Sequence, residues 1–310
     1  MLDVWVILLR LVQYAGAVVL LGAPLFLLYG LREANGLTLG WPRRLLIFAS
    51  AMVAVSAGAA LVAQTAVMAG SISEGLKPSS LGFMITGTSL GPAFLIRSGV
   101  AALALVVLTF VRPSRLVWIL VSLAGLVVSA SFAWTGHGAA TEGAGHYPHL
   151  MAAILHSYGA AVWLGALVVL LILTLGHKAS PAADRTLYQA LHGFSGVGTA
   201  SVAVLVLSGL VNSWFMVGPD RLAGLFTTPY GLLLAVKVAL FGLMLALAAA
   251  NRFHLTPSLA NALADPWALT QAISRLKRSL VLETLFALAL LCAVAVMGTL
   301  APVSAMDMAM

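Results

Sequence analysis

The stretch HLMAAILHSYGAAVWLGALVVLLILTL, residues 149–175, runs for 27 positions without an Asp, Glu, Lys or Arg. An α-helix needs roughly 20 mainly apolar residues to cross about 30 Å of hydrocarbon, so this run spans a membrane. Working outward, seven further runs meet the same test: residues 4–29, 45–70, 92–111, 115–136, 192–217, 229–250 and 279–300. The whole chain is 62% apolar and 8% charged, whereas soluble domains carry roughly 25% charged residues. Strand-type alternation is absent, which excludes a transmembrane barrel. Helices satisfy every backbone polar group within the segment. The sequence therefore predicts an all-α polytopic membrane protein, a bundle of eight transmembrane helices forming one domain over residues 1–310.

The opening residues Met1-Leu2-Asp3-Val4 carry no positive charge, and the first run exceeds the roughly 7–15 residues of a signal-peptide core. It is read as a permanent helix. The single cysteine, Cys292, lies inside the last run, so neither an internal disulfide nor a CxxC motif is possible. No GxxxxGK[ST] loop occurs, which removes nucleotide-driven transport, and no nucleic-acid partner is expected.

The net charge of +7 follows from topology. The first, third, fifth and seventh connections hold eleven Lys and Arg residues, among them Arg43, Arg44, Arg112, Arg115, Lys178, Arg185, Arg252 and Arg278. The even connections and the termini hold two, Lys77 and Arg221. The positive-inside rule then puts both termini and the even connections outside. Residues 267–278 are expected to lie on the inner surface as an amphipathic helix, with basic groups toward anionic lipid.

With that orientation, Arg10, Gln64, Arg97, His156, Asn212 and Lys237 sit on six different helices, all roughly 8–12 Å below the outer end. Intramembrane charges cost at least about 2.5–3.5 kcal/mol and face a cavity, a partner or the headgroups. The shared level predicts a hydrated cavity open to the outside. Glu283 is placed near the inner surface.

Four of the seven histidines fall on the outer side: His137, His146, His149 and His156. Spacing of seven puts His149 and His156 on one helical face, and a Gly-rich connection lets His137 and His146 fold back. Imidazole suits copper, zinc, iron and nickel. Met151 and Glu142 lie beside this group, and Met306, Met308 and Met310 end the chain on the same face. Thioether sulfur selects Cu(I).

Several segments resemble the copper resistance protein D family of bacterial inner membranes. They are Thr135-Gly136-His137, His156 followed by Trp163-Leu164-Gly165, Phe194-Ser195, Leu207 through Asn212, Thr228-Pro-Tyr230-Gly231 through Lys237, Glu283 after Arg278, and Leu300-Ala-Pro302. The resemblance covers roughly residues 130–302 well, and the first four runs by hydropathy and order. It implies a copper-handling protein that moves copper inward from the periplasm, with membrane lipid and a periplasmic copper chaperone as partners. The family often has Arg-Phe-Ser where this chain has His192-Gly193-Phe194-Ser195.

Three functions follow. The first is Cu(I) capture by His and Met ligands and transfer across the membrane; scarce cysteine suits an oxidising compartment. Arg10, Arg97 and Lys237 would repel that cation if they shared its cavity. They suit instead a second reading, a b-type haem or quinone-linked redox protein with His137 and His156 as axial ligands and the basic residues on propionates. A third is a scaffold that relays copper without transporting it. No nucleophile elbow or other hydrolase constellation occurs, and no enzymatic activity is expected.

Overall fold

The computed structural model describes residues 2–31, 37, 39–139, 141–178 and 180–305, without the side chains of Leu2 and His137. Among the described residues, eight helices are long and apolar enough to cross a membrane. They are α1 (Leu2–Gly30), α2 (Trp41–Ala69), α3 (Leu90–Phe110), α4 (Arg115–Ser131), α5 (His146–Leu175), α6 (Pro181–Val217), α7 (Pro229–Ala250) and α8 (Pro266–Met297). No strand occurs among the described residues.

Local capping chemistry sets several helix starts. The hydroxyl of Ser180 accepts from the Ala183 N–H, Thr228 accepts from Gly231, and the Asp265 carboxylate accepts from Trp267 and Ala268. A proline follows each cap at the first helical position, where its fixed φ and missing N–H cost nothing. As a result α6 and α8 begin well before their apolar runs. Residues 267–278 form the first part of α8, not a separate helix on the membrane surface. Asp265-Pro266 starts a helix, and no breaker follows until Gly298. Likewise α7 continues through a π-helical turn, Asn251–Leu255, into Thr256–Ala262. The second connection folds into Ile72–Gly75 and Pro78–Gly87, with Lys77 paired to Glu74 at 2.7 Å.

Helices α1, α2, α3 and α4 pack as a closed ring of neighbours. Helix α1 is shared, because it also packs along α5 and touches α6 and α8. Its Leu20 and Phe26 are fully enclosed. The α1–α5 crossing is close because both helices present small residues. A Cβ at Gly22 would collide with the Ala161 carbonyl oxygen, and one at Gly165 would meet Gly22. Small residues at such crossings let backbones approach and gain dispersion contacts that lipid cannot supply.

The second half is looser. Pairs α5–α6, α7–α8 and α5–α8 are packed, but α6 and α7, though consecutive, share no extended contact. The cleft between them contains the polar interior described next. Arg10 near the start of α1 lies against Gly298 just beyond α8, so these two ends of the chain meet at one end of the bundle, here called the terminal end.

Candidate functional site

The α6–α7 cleft holds a cavity of about 290 Å³ toward the terminal end. His156 enters it from α5, Asn212 from α6 and Lys237 from α7. Three thioethers line the same space: Met216 of α6, Met244 of α7 and Met297 of α8. The sequence reading did not single out these methionines. Met216 and Met297 stand near the ends of two apolar runs, the one signal the sequence offers for them, and Met244 carries none.

Hydrogen bonding fixes which nitrogen of His156 is available. The Ser208 hydroxyl donates to the Val204 carbonyl, so toward His156 it can only accept. With the Ser208 proton on the Val204 carbonyl, the contact of 3.0 Å between that oxygen and His156 Nδ1 is made by the Nδ1–H tautomer. The lone pair is left on Nε2. A histidine whose other N–H is held in this way has the tautomer and orientation of a metal ligand. Asn212 Oδ1 is buried without a hydrogen-bond partner among the described residues, so the cavity also offers an acceptor.

A second cavity, about 570 Å³, lies toward the opposite end. Trp163 of α5 lines both, is 2% exposed, and meets Phe241 edge-on at 5.7 Å. The Trp163 ring stands between the chambers. Glu283 of α8 lines the second chamber and is 2% exposed, so its carboxyl group is enclosed by protein. Asn251 Nδ2 donates to its Oε2 at 2.9 Å, and the Trp163 indole N–H interacts with the same carboxylate.

At the terminal end, Thr141 gathers two of the predicted histidines. The Nδ1–H of His146 donates to the Thr141 carbonyl at 2.9 Å, and His149 Nδ1 is 2.6 Å from the Thr141 hydroxyl. The His149 ring stacks on Phe215 of α6 at 4.8 Å. His149 and His156 thus both face α6, two turns apart. Met151 and Glu142 are exposed. The His137 side chain and Met306, Met308 and Met310 lie outside the described residues. Among the described residues, no three His, Cys, Asp or Glu side chains converge as a metal cage would require.

The two arginines lie elsewhere. Arg97 is 1% exposed and donates from Nε to Ser131 Oγ at 2.9 Å, from one terminal nitrogen to Gln13 Oε1, and from the other to Thr135 Oγ1 at 3.0 Å. Its guanidinium lies over the Phe132 ring at 3.9 Å. Arg10 donates to the Thr135 carbonyl at 3.2 Å. Both cations therefore hold Thr135, two residues before His137. Neither lines the His156 cavity, and neither does Gln64, which is half-buried on α2. Of the three intramembrane cations, Lys237 alone lines that cavity.

Fold and cleft together define a multi-pass helical membrane protein with a chamber lined by imidazole and thioether groups. Residues 1–147 match the family described as Copper resistance protein D-like, N-terminal domain, and residues 188–297 match Copper resistance protein D. The chain is 37% identical over 299 residues to the Copper resistance protein D of Pseudomonas syringae pv. tomato, covering 94% of this chain and 95% of that protein. It is 27% identical over 249 residues to the Copper transport protein CutJ of Bacillus subtilis (strain 168), covering 77% of this chain and 44% of that protein. No solved structure gives a significant match. The chain belongs to the copper resistance protein D family, and its function is a copper-related one in the membrane.

Proposed function

We propose that this protein binds Cu(I) from the periplasm in the His156 cavity and moves it toward the cytoplasm. The observation that carries the reading is the α6–α7 cleft itself. It brings the His156 imidazole into one space with three thioethers, and a second chamber shares the Trp163 wall. Imidazole and thioether ligands suit Cu(I). The charge asymmetry of the connections supports an orientation in which the terminal end, and with it both termini, faces the periplasm of the inner membrane.

In this reading His146 and His149, with His137 and the tail Met306, Met308 and Met310, receive the ion from a periplasmic copper chaperone and pass it inward. Lys237 has a definite part. A like charge beside the ligand weakens binding, and a conducting site must bind weakly enough to release. The protein carries the ion and performs no chemistry on it. Family membership favours copper over haem.

The test is Cu(I) uptake into vesicles containing the purified protein, compared with the His156→Ala variant. Uptake by the wild type and its loss in the variant support the carrier. Copper bound by the wild type without uptake indicates a relay scaffold that hands the ion to a partner.

A further inference from the structure

The second chamber contains a group that ligand binding at His156 does not use. Glu283 is 2% exposed and has no cation within ion-pairing distance among the described residues, whose ion pairs are Lys77–Glu74 and His177–Asp184. An ionised carboxylate enclosed without a counter-ion is costly. Two N–H donors reach it, from Asn251 and Trp163. Yet Asn251 Oδ1, on the same amide that donates to Glu283, is buried and has no partner, and Asn251 itself is 8% exposed.

These facts fit one chemistry. A carboxylic acid and a primary amide form a cyclic pair: amide N–H to acid oxygen, and acid O–H to amide oxygen. The first bond is present. The second requires a proton on Glu283 and a turn of the acid O–H toward Asn251 Oδ1, and it would satisfy that acceptor. Asn251 opens the π-helical turn, a backbone irregularity frequent at functional sites.

We infer that Glu283 and Asn251 form a proton-binding site, and that its protonation is coupled to passage of copper between the chambers. The coupling rests on the carrier reading above. Its physical link is Trp163, whose N–H binds the Glu283 carboxylate and whose ring lines the His156 cavity. Protonation transfers one proton from hydronium in solvent to the Glu283 carboxylate, leaving water; the new O–H can then donate to Asn251 Oδ1, and the neutral acid holds the indole N–H less strongly. The other ionisable groups lining the chamber are Tyr188 and His192 of α6 and Arg252 of the π-helical turn. Helices α5 and α7 and the segment Thr256–Ala262 add none. Arg252 is engaged by the Ser195 carbonyl and the Thr199 hydroxyl.

Two measurements test this. The first needs no copper: infrared difference spectra of the purified protein between low and high pH. A protonated-carboxyl C=O band is expected in the wild type and in His192→Gln, lost in Glu283→Gln, and shifted in Asn251→Leu. A titrating band unchanged by Glu283→Gln overturns the site. The second is Cu(I) uptake into vesicles holding a pH-sensitive dye. Wild-type uptake should make the interior more alkaline as protons leave, whereas Glu283→Gln should retain Cu(I) binding and lose both uptake and the pH change. Uptake by Glu283→Gln with wild-type pH dependence overturns the coupling. The band present without wild-type uptake leaves the proton site standing and removes the carrier reading instead.

Discussion

Replacing Arg97 by Met tests the buried clamp on Thr135. The substitution approximately conserves volume, so the cost comes from polar groups. Gln13 is 0% exposed, and its Oε1 would lose its donor, at about 1–3 kcal/mol. Ser131 and Thr135 lose an acceptor role but keep their own donor bonds to the Val128 and Phe132 carbonyls, so they add little. The cation–π contact with Phe132 is worth about 2 kcal/mol when desolvated. Against these, removing an intramembrane charge returns about 2.5–3.5 kcal/mol. The balance is a net destabilisation centred on about 1 kcal/mol, read by reversible denaturation in mixed micelles. Gln13→Leu alone leaves a buried guanidinium nitrogen unpaired and should cost about 1.5–3 kcal/mol. The double variant should return to within about 1 kcal/mol of wild type, because apolar groups then replace both partners. Single losses that simply add in the double variant, within about 0.5 kcal/mol, would refute the clamp.

Other consequences follow from the same geometry. His156→Ala should weaken Cu(I) binding at least about tenfold, or 1.4 kcal/mol, in a chelator competition. Ser208→Ala should weaken it about tenfold by freeing the ring that Ser208 orients, with the fold intact. Lys237→Met removes a like charge from the cavity and should tighten Cu(I) binding by about tenfold, measured in the same competition. Gly22→Val drives a side chain into the α5 backbone at Ala161 and should lose about 1–3 kcal/mol or more, seen as lower thermal stability in detergent.

The membrane class and the number of spans were legible because each run carries its own evidence, about 20 apolar residues in sequence. Helix limits were less so. Ser180-Pro181 and Asp265-Pro266 are local start signals, but they precede charged segments, and a reading by hydropathy alone discards them. The π-helical turn at Asn251 has no local signature at all. The polar interior was legible as a set of residues at one level, but not as a partition. Depth comes from counting along a helix; azimuth depends on which neighbours pack. Thus Arg97 faces Gln13, Ser131 and Thr135, from 34 to 84 residues away in sequence, whereas Lys237 lines the cavity with His156. The chamber exists because α6 and α7 fail to pack, a property no single run reveals.

The most direct test is an anaerobic titration of the detergent-purified protein with Cu(I) against a coloured chelator, on wild type and His156→Ala, recorded over the full visible range. The account predicts that the wild type withdraws copper from the chelator, that His156→Ala withdraws markedly less, and that the copper-free protein has no visible band. Equal affinity in a folded His156→Ala variant, or an intense haem band before copper is added, would contradict it.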